Sequence, residues 1–547
     1  MNDPLLASGP KVSVIVPNYN HAPYLKERLR TVFEQTLRPH EIVFLDDASS
    51  DKSVGLARRL ASRSPAPFRL VVNEKNSGST FRQWVKGLSL SSGDLIWIAE
   101  SDDACRPDFL ERLVPAFSDP EVVLAYSQSA IIGPRGKIEQ PDYRFYTDSI
   151  SSTRWHSPYT VPGFEEVELA LSQMNTIPNA SAVVFRRPAQ LDFASELETL
   201  RLAGDWLFYA MQLRHGKIAF LPDALNYHRR HQKTVRHAFE RDAALFEERI
   251  YVKMRLFEDF PISTRSMSRS LGCSIGEYWD RVQQRDRQET GLVHHPRLAR
   301  FIERIRAAFD RRVSSPAGPR ILMVAGDIEP EGGQEDVIRL ANAMADHHPV
   351  YLCNARPANF RPPEAAQIDS RVILIEGTLG HAPWSHRQDV DLDQLGAVPE
   401  RRADVLRELI EFHRIDFIYS AGWWANRLVH EVRQGLSVPW FIDLRGLAAV
   451  PENDLKFNLP VAPMMWNVRG AFYARSDDLR MFAGGVIPRP RRLIRIDDGL
   501  EVAGGGPAAR RLGRRGDLHR SSDDLADMVT EALFAACDAT KLTERSR

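Results

Sequence analysis

Short apolar runs alternate with helical stretches from residue 11 to residue 100, and two of these runs end in a pair of aspartates. Asp46–Asp47 closes "EIVFLDDASSDKS", and Asp102–Asp103 closes "GDLIWIAESDD". Adjacent carboxylates at the end of a buried strand are costly unless something neutralises them. A divalent cation on a diphosphate, or a ribose and a base edge, would do so. Parallel strands of α/β sheets present ligands at their carboxyl ends. If both runs point the same way, both acid pairs lie on one rim, which is the geometry of a sugar-nucleotide site.

The runs Val12–Val16, Ile42–Leu45, Leu70–Val72 and Leu95–Ala99 read as strands. Between the first two, Leu25, Leu29, Val32 and Phe33 share one helical face. Pro23 stands near the start of that helix, where a missing amide costs little. The segment "ASSDKS" is a helix-entry signal. This alternation predicts a mainly parallel sheet with helices on both faces. Further along, "VVLAYS" and "SAVVFRR" read as strands, and "LAGDWLFYAMQLRHG" as a helix opening near Gly204–Asp205 and stopping at Gly216. "IAFLPDALNYHRRH" reads as strand material ending in a basic cluster.

At 547 residues the chain has room for about three folded units. Residues 1–235 form the first. Residues 236–317 are charged, helical in pattern and poor in strand signals, and read as a helical connector. A second α/β series then runs over 318–502, with strands expected at Ile321–Ala325, Val350–Cys353, Val372–Ile375, Phe417–Ser420 and Trp440–Leu444. Val337, Leu340, Ala341 and Met344 form a helical stripe between the first two. Residues 503–547 open on a Gly/Arg-rich stretch expected to be flexible, with a short helix in "DDLADMVTEALFAAC".

Lys+Arg and Asp+Glu both number 72, so no basic field argues for nucleic acid as a partner. The four cysteines, Cys105, Cys273, Cys353 and Cys537, form no CxxC pair, which argues against a zinc knuckle and fits a reducing cytoplasm. "MNDPLLASGPKV" lacks a basic region followed by an apolar core, so no secretory signal is expected. No run approaches the roughly 20 apolar residues of a membrane helix. A cytoplasmic location is expected, with room for peripheral contact at the inner face of a membrane.

The stretch "VSVIVPNYNHAPYLKERLRTVFEQTLRPHEIVFLDDASSDKS" resembles the opening of the inverting family 2 glycosyltransferases, which have the GT-A fold. The resemblance covers roughly residues 11–235. It implies a nucleoside-diphosphate sugar donor, a glycan or lipid-linked acceptor hydroxyl, a Mg²⁺ or Mn²⁺ cofactor and a role in cell-surface polysaccharide synthesis. Carried onto these residues, it places Pro17 and Tyr19 against the nucleotide base. Asp47 would accept a hydrogen bond from the base, with Asp46 beside it. Asp102 would face the ribose and diphosphate, Asp103 would ligate the metal, and Asp205 would be the catalytic base. Glu100 stands where the family's Asp-x-Asp-Asp begins with Asp.

The chemistry requires such groups on its own account. Breaking a sugar–diphosphate bond leaves charge on the departing phosphate, which a divalent ion with oxygen ligands stabilises. An acceptor hydroxyl is a poor nucleophile until a placed carboxylate takes its proton. Asp46 and Asp205 also have plainer uses, as a turn former and a helix cap. In "YHRRHQKTVRH", His231 is the best candidate for a basic lip over the diphosphate, set against an ordinary solvated charge run. Arg82 and Lys86 are expected near the site, whereas Trp84 fits core packing.

"RILMVAGDIEPEGGQEDVIRLANAMADHHPVYLCNARP" resembles the N-terminal half of the family 4, GT-B glycosyltransferases. Gly332–Gly333 would let backbone amides approach a phosphate. No further strand–helix series follows "RLIRIDDGLEVAGGG", so this second Rossmann-like domain is expected to be incomplete as a catalyst. Acceptor binding, scaffolding and a remnant of a longer enzyme all stay open for it. Two rivals to the transferase reading remain. A nucleotidyltransferase would need a Gly-rich basic loop where "PNYNHAP" stands. A non-catalytic protein could instead use such domains to bind a glycan or a partner.

Overall fold

The structure is a computed structural model that describes residues 9–231, 243–283, 291–313, 318–325, 335–354, 368–375, 400–432, 436–443, 470–473 and 493–495. It divides into two units, Met1–Ile262 and Ser263–Arg547, so the division falls inside the stretch 236–317.

In the first unit, strands β1 (Val12–Asn18), β2 (Glu41–Asp46), β3 (Phe68–Val72) and β4 (Leu95–Ile98) alternate with helices α1 (Ala22–Phe33), α2 (Ser53–Ala61) and α3 (Thr80–Leu90). These strands pair in parallel, in the order β3-β2-β1-β4. Every residue of β1 and β4 is buried, as expected of strands covered on both faces. Leu25, Leu29 and Val32 of α1 pack on that sheet with no measurable exposure, each contributing on the order of 1.5–3 kcal/mol. Gly87 lets α3 lie close to β1, because a Cβ there would meet Ile15 at 2.5 Å.

The rest of the sheet is mixed in direction. Strand β5 (Ala104–Cys105), β6 (Val122–Ile132), β7 (Ile138–Gln140), β8 (Tyr159–Pro162), β9 (Val183–Arg186) and β10 (Lys217–Arg229) complete ten strands. Strand β9 lies between β4 and β6 and is antiparallel to both. The chain reaches it through the long excursion 133–182, not through a short crossover helix, so nothing forces a parallel return. Strands β6 and β10 are parallel to each other. Helices α4 (Gly204–Gln212) and α5 (Ala243–Asp259) close the unit.

The second unit begins with helices α6 (Thr264–Gln283) and α7 (Ala299–Asp310). Its sheet has seven strands: β11 (Ile321–Ala325), β12 (Val350–Asn354), β13 (Ile373–Ile375), β14 (Phe417–Ala421), β15 (Trp440–Asp443), β16 (Gly470–Tyr473) and β17 (Leu493–Arg495). All pair in parallel, in the order β13-β12-β11-β14-β15-β16-β17. The stripe Val337, Leu340, Ala341 and Met344 is buried against it, on helix α8 (Glu335–Met344). Glu408, on helix α9 (Glu400–His413), accepts hydrogen bonds from Trp279 and from the Val293 amide, and burial pushes its carboxyl up to about 7. Gly332–Gly333, His237 and the tail 503–547 lie outside the described residues. Among the described residues, Cys105, Cys273 and Cys353 are free thiols. No described helix is long and apolar enough to cross a membrane.

Candidate active site

Both acid pairs follow strands whose parallel partners put their carboxyl ends on one rim. The loop after β1 is built to meet the loop after β2. Asn18 Nδ2 donates to Asp46 Oδ2 at 2.8 Å and to Ser49 Oγ at 3.2 Å. Asn20, at φ 56°, accepts from the Ser50 amide at 2.8 Å. Asp46 is fully buried and also accepts from the Ser49 amide at 2.8 Å. Ala48 holds φ 59°, a left-handed conformation costly for a side chain with a Cβ, directly after the acid pair.

Asp47 is also buried, and its carboxylate is saturated by protein donors. It accepts from Asn73 Nδ2 at 2.6 Å, the Ser77 amide at 2.9 Å, Ser77 Oγ at 2.7 Å and Gln83 Nε2 at 2.9 Å. Its expected hydrogen bond to a base therefore competes with four protein donors. Pro17 lies within β1 opposite Leu45. Tyr19 is 49% exposed at the rim. Arg82 is exposed on α3 and donates to the Ser77 carbonyl. Trp84 is buried, as expected, and its Nε1 donates to Glu100.

The loop after β4 separates its three acids. Glu100 is half-buried, and the desolvation of its carboxyl, aided by the Asp102 charge, pushes it up to about 8. Asp102 behaves oppositely. Burial alone would raise its carboxyl, but the His231 hydrogen bond and the His21, His231 and His228 charges hold it down at about 2. Asp103 was the expected metal ligand, and the structure places it below the rim. It is 2% exposed and accepts from Asn179 Nδ2 at 2.9 Å, Ser181 Oγ at 2.7 Å and the Arg229 amide at 2.8 Å. The Arg28 guanidinium lies 3.9 Å from it. A carboxylate so enclosed ties β10 to the loop after β4.

Among the described residues, the group able to hold a metal is His21, Asp102 and His231, whose ligand atoms all lie within 4.8 Å of one another. His231 Nε2 is 3.1 Å from Asp102 Oδ2, and His21 Nε2 is 4.0 Å away. His21 Nδ1 is 2.9 Å from Ser101 Oγ, which orients its ring, and the His231 ring lies against Tyr24. An ionised carboxylate facing two imidazoles fits a divalent transition ion such as Mn²⁺ better than Mg²⁺, which prefers oxygen donors. Of the other described members of the basic cluster, His228 is half-buried, Arg229 buried and Arg230 exposed. Arg229 is 1% exposed, donates to the Asp102 carbonyl and pairs with Glu27. His228 stacks on Tyr143, and Arg230 lies over the same ring.

Asp205 sits in the first turn of α4, half-buried. Its Oδ1 accepts from the Trp206 amide at 2.7 Å and its Oδ2 from Asn175 Nδ2 at 3.2 Å. Gly204 allows this turn to approach α3, since a Cβ would meet the Phe81 ring at 2.6 Å. Tyr209, one turn further, is buried beside both Asp205 and Glu100. Burial, with those two charges, raises its phenol well above the ordinary value. Each of four acids has its own side-chain donor: Gln83 holds Asp47, Trp84 holds Glu100, Asn175 holds Asp205 and Asn179 holds Asp103.

Sequence reasoning missed His21, Asn18, Asn20, Gln83, Asn179 and Ser181. The "NYNH" turn carried a usable signal, because two asparagines and a histidine directly after a strand are side chains that can reach across a rim. Nothing local marked Asn179 or Ser181.

Residues 13–176 match the model of the family described as glycosyl transferase family 2, and the first unit is a glycosyltransferase domain. An uncharacterized protein of Mycobacterium tuberculosis is 29% identical over 261 residues, covering 47% of this chain and 79% of the relative. An uncharacterized glycosyltransferase of Nostoc sp. is 26% identical over 223 residues, covering 40% of this chain and 65% of the relative. Among solved structures, S. aureus TarS 1–349 in complex with UDP-GlcNAc is 17% identical at a TM-score of 0.37, covering 55% of this chain and 82% of that one. The family match includes His21 and both acid pairs. Asp205 and His231 lie beyond it.

Proposed function

We propose that the first unit transfers a sugar from a nucleoside-diphosphate sugar to an acceptor hydroxyl with inversion, assisted by a divalent cation. The observation that carries this reading is the meeting of His21, Asp102 and His231 where β1, β4 and β10 end. Those three side chains would hold the ion, which when bound would neutralise charge on the departing diphosphate. The two imidazoles favour Mn²⁺. The acceptor oxygen attacks the anomeric carbon on the face opposite the diphosphate, the bond to the diphosphate oxygen breaks, and the acceptor proton passes to Asp205. A single displacement of this kind inverts the anomeric centre.

Tyr19, exposed at the rim, is assigned to the base, with Pro17 beneath it and Arg82 toward the phosphates. Asp46 and Asp47 are assigned to shaping the nucleotide pocket, since protein donors already occupy their oxygens. The acceptor is read as a glycan or a lipid-linked sugar of a cell-surface polysaccharide, met at the inner face of a membrane. The second unit, a parallel seven-stranded sheet, is read as the N-terminal half of a GT-B fold, with acceptor binding or scaffolding as its role. Calorimetric titration of the full chain with UDP-, GDP- and dTDP-sugars, with and without Mn²⁺, tests the central claim. Mn²⁺-dependent binding of one donor, with slow release of its nucleoside diphosphate, is expected. Binding of none of them in either condition would remove the transferase reading of the site.

A further inference from the structure

We infer that Glu248, on α5 and beyond the family match, is the positioning residue for Asp205. This rests on the reading of Asp205 as the base. Glu248 Oε1 accepts from the Arg201 amide at 2.9 Å, and its Oε2 accepts from the Leu202 amide at 2.8 Å and the Ala203 amide at 2.9 Å. Three successive backbone donors converge on one carboxylate. The next residue, Gly204, opens α4, and Asp205 follows it.

Amides at a helix start have no partner within the helix, and negative charge is favoured there. No side chain of the Ala203 cap can supply it. Glu248 supplies it from a separate helix. The same face of α5 also holds the preceding turn: Tyr251 Oη donates to Glu196 at 2.6 Å, and Arg255 pairs with Glu196. Residues 196–203 are therefore gripped along α5, with one further restraint where Ser79 Oγ donates to the Leu200 carbonyl at 3.0 Å.

The consequence for chemistry follows from how Asp205 is held. Its Oδ1 is engaged within the first turn of α4, at the Trp206 amide, and its Oδ2 by Asn175 from a separate segment, so the position of that turn against Asn175 sets its aim. Displacing a catalytic group by 1 Å can cost about 100-fold in rate. Releasing three amides from Glu248 frees that turn to move, while His21, Asp102 and His231, on other elements, keep their places.

The test compares full-length E248A, E248Q and D205N with the D205N/E248A double variant. The readout is nucleoside diphosphate released in Mn²⁺ from whichever donor the titration panel selects, together with the donor Kd. E248A is expected to lower kcat about 10- to 100-fold with KM and Kd within about twofold of the parent. E248Q, which keeps an acceptor oxygen and guards against simple misfolding, should fall between the two. The double variant should be no slower than D205N, because both changes remove one function. Wild-type kcat in E248A, a loss of donor binding in step with rate, or an equal slowing of D205N by the second change would overturn the inference. Wild-type turnover in D205N would overturn the base assignment itself. An impaired D205N beside a fully active E248A would overturn only the role of Glu248.

Discussion

Asp102 and Asp103 are neighbours in the chain, yet Asp102 Oδ2 lies 3.1 Å from His231 Nε2, whereas Asp103 Oδ2 lies 2.7 Å from Ser181 Oγ. One carboxylate faces two imidazoles, and the other is spent on holding β10 and the turn before β9 in place.

That division predicts opposite outcomes for two adjacent substitutions. Asp102→Ala should abolish Mn²⁺ binding, read by electron paramagnetic resonance, and leave the melting temperature near that of the parent. Asp103→Asn should retain Mn²⁺ binding but lose about 1–3 kcal/mol in urea unfolding, since buried donors lose their charged acceptor. The reverse pattern would return the metal to Asp103. Acidification should weaken Mn²⁺ binding in the parent as well, because imidazole ligands must be unprotonated.

The saturated carboxylate of Asp47 makes a second case. Asp47→Asn points an amide at Asn73, Ser77 and Gln83, all of which donate to it in the parent. A stability loss of about 1–3 kcal/mol is expected, with a weaker donor Kd through loosening of the loop. A variant as stable as the parent by urea titration would show that the network is dispensable.

Asp205→Asn keeps the shape of the side chain and removes its basicity. Turnover should fall about 10²- to 10⁴-fold while Mn²⁺-dependent donor binding persists. A change confined to donor Kd, measured by calorimetry, would move Asp205 from proton acceptor to binding group.

Glu100 links stability to pH. Its carboxyl is held at about 8 by burial and the Asp102 charge, against an ordinary value of 4.5. Between those values the folded chain keeps a proton that the unfolded chain releases. Stability from this group is complete below about pH 4.5 and is lost as pH rises through about 8, at up to about 1.4 kcal/mol per pH unit. Glu100→Gln cannot ionise, and its amide oxygen can still accept from Trp84. In chelator, its stability should gain on the parent as pH rises over that window, and parallel unfolding curves would refute the linkage.

The strands β1, β2 and β4, the helix with Leu25, Leu29 and Val32, and the rim position of both acid pairs were all legible in the chain. Apolar periodicity and strand-ending turns are local properties, and each element announces itself within about ten residues. The antiparallel β9 was not legible, because its direction depends on how a long excursion returns. Nor was the choice between Asp102 and Asp103. The partners of Asp103, namely Asn179, Ser181 and Arg229, stand 76, 78 and 126 residues from it. What composition and order determine about this protein is which edge of the sheet bears charge. What the tertiary structure alone decides is which carboxylate is left open to a ligand, because donors arriving from distant strands and helices compete for each oxygen, and a buried acid goes to whichever set satisfies it.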